Sequence, residues 1–400
     1  MAFQSLSKLV TSGFSGECDE PMNRVLLVRT KLMRLKKFFA KAILVSAIFF
    51  VIHSCSSSGT ENLPPASGLS GDMYLVMDST QWKGPLGDVV DSLFSQEMIG
   101  LPREEPIFRM RWIDPRKLNF VLKQRRNLIF AVTLDKRTSG ANMLRNLFTA
   151  QSLEKIKTDP SAYVLTTSDV FAKGQEVMYL YGNTEKELIA NIRSKGHFLI
   201  DHFNRKEKER LSVSLFKAGQ ITGVSDWMIK NMNCNIKVPF GYKLVINKED
   251  FLWVRQINVA DDKDIFVTST AYQSQDQFKK DYLIDFRDRV CKKYLFEDPE
   301  VLNSYLLTET TVPFIPVTTK EVSINGHYAV EMRGLWRANN FSMGGPFVGY
   351  AMVDEAKGKF YYIEGFTFSP SKDQREIMRE LETVLSTFQT SEGLPPAAAQ

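Results

Sequence analysis

The chain has few side chains suited to chemistry, and their spacing narrows the choices further. It holds four histidines and four cysteines. His197 and His202 are five positions apart on an expected helix, about 140° around it, so they do not converge on one metal. His197 and Asp201 face the same way and read as an exposed pair. His327, in Ile-Asn-Gly-His-Tyr, reads as a surface residue beside a tight turn rather than a general base. Cys234 and Cys291 have no flanking histidine and do not form a zinc pattern. Two readings stay open for them: one disulfide in an oxidising compartment, or two buried thiols. The second has Cys291 among Tyr282, Phe286, Val290 and Tyr294 at helical spacing. Glu104 and Glu105 are adjacent in an extended segment and point to opposite faces. Glu105 is expected to anchor the turn before Pro106. A glycosidase pair would need two carboxylates about 5–10 Å apart from separate segments. No nucleophile elbow, phosphate loop, His-Glu-x-x-His, Cys-x-x-Cys or dinucleotide fingerprint occurs, so no cofactor and no metal site are expected.

Glu105 and two tryptophans are the candidates for binding. Trp82 lies in the polar run Asp-Ser-Thr-Gln-Trp-Lys-Gly-Pro. It is expected either to stack on a ligand or to fold back over the edge of the core. Trp336 borders the glycine-rich stretch ending Met-Gly-Gly-Pro-Phe, read as a binding lip or a long hairpin connection. Arg116, Lys117, Lys123, Arg125 and Arg126 interleave with Leu118, Phe120 and Leu122. Strand alternation would make them a solvated face rather than a contact for anionic lipid.

Cys55 differs from the other cysteines. From Met33 the sequence runs through Arg34, Lys36, Lys37 and Lys41 into an apolar stretch, Ala42 to Ile52, then His53-Ser54-Cys55. A stretch of eleven residues is too short to span a bilayer, which takes about 20, but it suits the apolar region of a secretory signal. The ending resembles a bacterial lipobox, whose cysteine is acylated and becomes the new N-terminus. Residues 1–54 hold eight Lys/Arg against three Asp/Glu, while the remainder is balanced at 43 each. The net charge of +5 therefore sits in the leader, and no nucleic-acid footprint is left for the folded part.

The expected organisation is 1–54 upstream extension and signal, 55–70 flexible tether, 71–210 and 220–390 two α+β units, and 391–400 disordered tail. Four β-rich runs, near Asn127, Val177, Ile265 and Phe360, each lead through a polar turn to an amphipathic helix, near Ala141, Thr184, Gln275 and Ser371. Thr184 and Glu187 have capping-box spacing, as do Ser371 and Gln374. The run Asn204-Arg-Lys-Glu-Lys-Glu-Arg210 mixes signs at a helix end and reads as solvated. Hairpin-like alternation around 251–270 and 350–363 favours antiparallel pairing. The expected class is α+β, antiparallel sheets with packed helices, and a tandem pair of related units is left open.

The run Gly71-Asp-Met-Tyr-Leu-Val-Met-Asp-Ser-Thr-Gln-Trp-Lys-Gly, followed by Gly100-Leu-Pro-Arg-Glu-Glu-Pro-Ile-Phe, resembles the Bacteroidota lipoprotein family known as domain of unknown function 4837. The resemblance extends over most of residues 50–390. It implies a lineage and a compartment but no activity. The C-terminal half is also similar in layout to PsbP-like and Mog1-like domains, with a helix, a Pro-x-Gly-Tyr strand, a meander, and a Phe-x-Phe strand before a closing helix.

The expected function is that of a lipid-anchored envelope protein on the periplasmic face of the outer membrane. It would bind a protein or glycan without catalysing a reaction. The competing expectation is an envelope hydrolase drawing on Glu105, Asp78 or His327.

Overall fold

A computed structural model describes residues 62–258, 261–295 and 303–394. The signal, Cys55, and residues 395–400 of the expected tail lie outside the described residues. The class is α+β.

The first sheet is built from strands that are apolar along their whole length. β1 (Asp72–Met77), β3 (Asn127–Thr133) and β5 (Glu176–Gly182) are almost wholly buried, because helices or covering loops lie on both faces. The remaining strands are β2 (Arg109–Ile113) and β4 (Val164–Ser168), and the sheet order is β2-β1-β3-β5-β4. β1, β2, β3 and β5 run parallel, and only β4 is antiparallel. The antiparallel expectation therefore does not extend to this sheet. Near-continuous apolar runs such as Met-Tyr-Leu-Val-Met are the mark of parallel strands covered on two sides.

Its helices are α1 (Ser79–Trp82), α2 (Pro85–Phe94), α3 (Phe120–Lys123), α4 (Ser139–Arg145), α5 (Ala150–Thr158) and, after the last strand, the long α6 (Glu185–Leu215). Thr184 caps α6 by accepting from the Glu187 amide at 3.2 Å. α2 and α6 meet where Gly196 faces Leu93; a Cβ there would come within 2.6 Å of Leu93. Leu86, Val90, Phe94, Leu188, Ile192 and Phe203 fill this face of the sheet. Tyr74, Val76, Leu128, Phe130 and Leu144 fill the other.

The second sheet is an antiparallel meander. It contains β6 (Lys243–Lys248), β7 (Phe251–Ile257), β8 (Asp262–Ala271), β10 (Thr318–Ile324), β11 (His327–Ala338), β12 (Gly344–Asp354) and β13 (Lys359–Phe368), with β9 (Leu306–Glu309) pairing to β11. Side-chain alternation makes two cores. Leu252, Val254, Ile265, Val267 and Ile363 face α7 (Thr222–Met232) and α9 (Arg375–Leu385). Phe251, Trp253, Phe266, Phe360 and Tyr362 face α8 (Lys280–Tyr294). Asn233, left-handed at φ 57°, ends α7. Parallel crossovers in one sheet and a meander in the other mean that the two halves do not repeat one topology.

Several boundaries move from their expected places. Residues from Pro64 onward are already hydrogen-bonded to segments beside the first sheet, through Lys173 N to Pro64 O and Ser67 N to Gln124 O, so folding starts before Gly71. Arg116 to Arg126 form no strand: a 3₁₀ turn (Pro115–Lys117) precedes α3. The charged run 204–210 lies inside α6, not at its end, and Glu207 is fully buried. Its carboxylate accepts from Asn127 Nδ2 at 2.6 Å and Ser70 Oγ at 3.0 Å. Tail residue Ser391 is tied down, its amide donating to Asp354 at 3.0 Å. The capping box lies at Ser274 and Gln277 rather than at Ser371 and Gln374.

Candidate functional site

A cleft of about 1120 Å³ opens where the two sheets and their helices meet. One wall is Met98 and Ile99, just after α2, with Glu209, Ser212 and Val213 from the last turns of α6. The other is Thr318, Thr319, Lys320 and Val322 of β10, which is an edge strand, with Thr383 of α9 and its C-cap Ser386. A smaller cleft of about 450 Å³ adjoins it at Met98, Ile99 and Thr318, and adds Phe314 and Pro316. Ile99, Val213 and Phe314 are all exposed at this rim.

The floor is ionic and fully paired. Arg333 of β11 bonds Glu331 through Nε and Nη2 at 2.7 and 2.9 Å. Its Nη1 lies 2.7 Å from Glu382 of α9, and Lys208 of α6 reaches the other Glu382 oxygen at 2.8 Å. The Tyr350 hydroxyl donates to Glu331 at 3.0 Å. Burial alone would raise the Glu382 carboxyl, but Arg333 and Lys208 outweigh it and hold the group far below its ordinary range. Burial pushes the Tyr350 hydroxyl well up, and the neighbouring Glu331 adds to that. Arg379 sits beside this network. It donates to Ile107 O at 3.0 Å and lies over the Phe108 ring at 5.4 Å. These groups set the shape and charge of the floor.

The residues singled out from sequence do not gather here. Glu105 is buried and reaches across to the second half. Its two oxygens accept from the Gln374 and Arg375 amides at 2.6 and 2.9 Å, capping α9. Arg103 and Arg375 clamp the same seam, through Lys372 O and Pro106 O at 2.6 and 2.9 Å. The Leu-Pro-Arg-Glu-Glu-Pro block is thus the joint between the sheets. Trp82 is half-buried and stacks on Trp112, centroids 6.1 Å apart and planes 4° apart. Trp336 lies inside β11, is 1% exposed, and donates to Thr367 O; it is core, not a lip.

Cys234 and Cys291 are free thiols in cores on opposite faces of the second sheet, so no bond joins them. Burial pushes the Cys291 thiol up to about 12, and that of Cys234 higher still. His202 meets Glu176 at 2.7 Å. His327 lies 3.8 Å from Glu392, beside a separate cleft of about 930 Å³. Among the described residues no group of His, Cys, Asp and Glu has the geometry to hold a metal. No helix among them is long and apolar enough to cross a membrane.

Sequence reasoning missed one further place, because it expected antiparallel strands. In an open parallel sheet, ligands favour the carboxyl ends of strands where the order reverses, here between β1 and β3. Asp78 and Asp135 follow these strands. Asp78 accepts from the Thr80 amide and hydroxyl at 3.0 and 2.6 Å. Although burial opposes it, these bonds and one from Thr138 hold Asp78 below its ordinary value. Asp135 accepts from Thr133 Oγ1 at 2.5 Å and the Glu185 amide at 3.2 Å. A Cβ at Gly140 would come within 2.5 Å of Asp78, so this end is closed by its own caps.

Residues 224–387 match the family described as Domain of unknown function (DUF4837). Residues 66–216 match another, Domain of unknown function (DUF8532). The first match covers less of the chain than the expected 50–390, and the Gly71 and Leu-Pro blocks fall within the second. No curated protein matches. Among solved structures, the Saccharomyces cerevisiae Ran-binding protein Mog1p is 8% identical, covering 40% of this chain and 90% of its own at a TM-score of 0.26. Human StAR-related lipid transfer protein 5 is 10% identical, covering 45% and 95% at 0.18. Likenesses of this size establish neither a shared fold nor a function.

Proposed function

We propose that the protein is a lipoprotein anchored through Cys55, of Bacteroidota type and facing the periplasm from the outer membrane, that binds an envelope protein or glycan without catalysing a reaction. The observation that carries the binding reading is the cleft between the two halves. It has an ionic floor whose charges are mutually neutralised and a rim of exposed Ile99, Val213 and Phe314. Exposed apolar side chains around a fixed polar base suit recognition of a surface. The hydrolase reading would need Asp78, Glu105 and His327 at one cleft, and each keeps separate neighbours.

The test is site-specific photocrosslinking in intact envelopes, with the probe at Val213 or Phe314. The expected result is one reproducible adduct, lost when Ile99→Asp is added and absent with the probe at exposed Val245 on the opposite sheet edge. Equal labelling from 213 and 245 would overturn the cleft as the binding surface.

A further inference from the structure

The described chain enters the fold against two loops beside the first sheet, and that place has a distinctive surface. Pro64 and Ala66 pair with Lys173, and Ser67 pairs with Gln124 and Arg126. Immediately before this junction is α3. Asn119 caps it, accepting from the Leu122 amide at 3.0 Å. Leu118 and Leu122 turn inward onto the core of this face. Phe120 and Val121 turn outward and are 73% and 57% exposed.

The two segments that hold the junction, 115–126 and 169–175, contain Arg116, Lys117, Lys123, Arg125, Arg126 and Lys173 against one acidic residue, Asp169, which accepts from the Gly174 amide. Arg116 is committed to Asp114 and Arg126 lies near Glu207. Lys117 and Lys173 are exposed, Lys123 lies over Phe171, and Arg125 lies over Tyr74. Two outward apolar side chains on a segment rich in cations form the pattern of an interfacial lipid contact. This is unlike the solvated strand face expected from alternation.

From Pro64 back to Cys55 is nine residue steps, at most about 30 Å of chain. An acylated Cys55 would therefore keep this face within reach of the bilayer, whatever path the intervening residues take.

We infer that the α3 face, Phe120 and Val121 with Lys117, Lys123 and Lys173, rests on an anionic phospholipid surface and sets the orientation of the body on the membrane. The inference rests on the Cys55 anchor for its setting but is tested without it. A chain of residues 56–400 retains all four cores and lacks the leader. It would be sedimented with vesicles of phosphatidylcholine containing about 30% phosphatidylglycerol, and with phosphatidylcholine alone.

The expected result is binding to the anionic vesicles at least about tenfold above the neutral ones. Lys117→Glu with Lys123→Glu should remove that preference, at about fivefold or more per cation. Phe120→Asp with Val121→Asp should weaken binding comparably, with an unchanged melting curve showing that the fold is kept. Phe314→Asp, in the cleft, should leave binding unchanged. Equal binding to both vesicles, or full binding by the α3 variants, would overturn the inference. Because Cys55 is absent from this chain, failure here leaves the anchor untouched, and failure of acylation leaves this result untouched.

Discussion

Glu382 shows how much one buried charge can organise. It is nearly inaccessible, and it draws Lys208 from α6 and Arg333 from β11 onto one carboxylate. Because its carboxyl titrates lower in the folded chain than in the unfolded one, its ion pairs stabilise the fold above the ordinary glutamate value of 4.5. That contribution is lost as pH falls from there. Glu382→Gln leaves two cations without their counter-charge and should cost about 3 kcal/mol at neutral pH. The variant should also lose less stability than the parent between neutral pH and the acid side of 4.5. Urea melts of both chains across that range would show it; parallel pH profiles would contradict the assigned role. None of this could be read from sequence, since Lys208 and Glu382 are far apart in the chain and carry no motif. Glu104 and Glu105 were legible, because extended backbone must send neighbours to opposite sides, and Glu104 is indeed exposed while Glu105 is buried.

At the scale of elements, α9 begins without a capping side chain of its own. The Glu105 carboxylate, from the other half, takes that place on two amides. Glu105→Ala should cost about 1–2 kcal/mol and lower the melting temperature by roughly 3–6 °C. Glu104→Ala should change it by less than about 1 °C. Equal effects from the two would contradict the cap. The strand–turn–helix order was readable because side-chain period shifts from 2 to 3.6 at polar turns. Parallel pairing was missed, although the continuous apolar runs of β1 and β3 carried its signal. Trp336 was misplaced because the glycines after it suggested a loop. Those glycines open β12: Gly345 sits so close to Thr367 O that a Cβ there would come within 2.1 Å.

For the whole molecule, the layers run from the α3–α4 face through the first sheet, α2 and α6, then α7 and α9, to the second sheet and α8. The proposed bilayer contact is on the α3 face. The proposed binding cleft lies at the α6–α9 layer, so one surface would serve attachment and another recognition. The functional proposal sets all of this in the envelope through acylation of Cys55, a premise it shares with the sequence reading. The direct measurement is intact and N-terminal-peptide mass spectrometry of the protein taken from the membrane fraction of its own cells. The expected result is a chain beginning at Cys55 with its sulfur carrying a diacylglyceryl group and its amine an acyl chain, and a Cys55→Ser chain that keeps its leader. A mature chain with an unmodified Cys55, or one that retains the 34–54 segment, would contradict it.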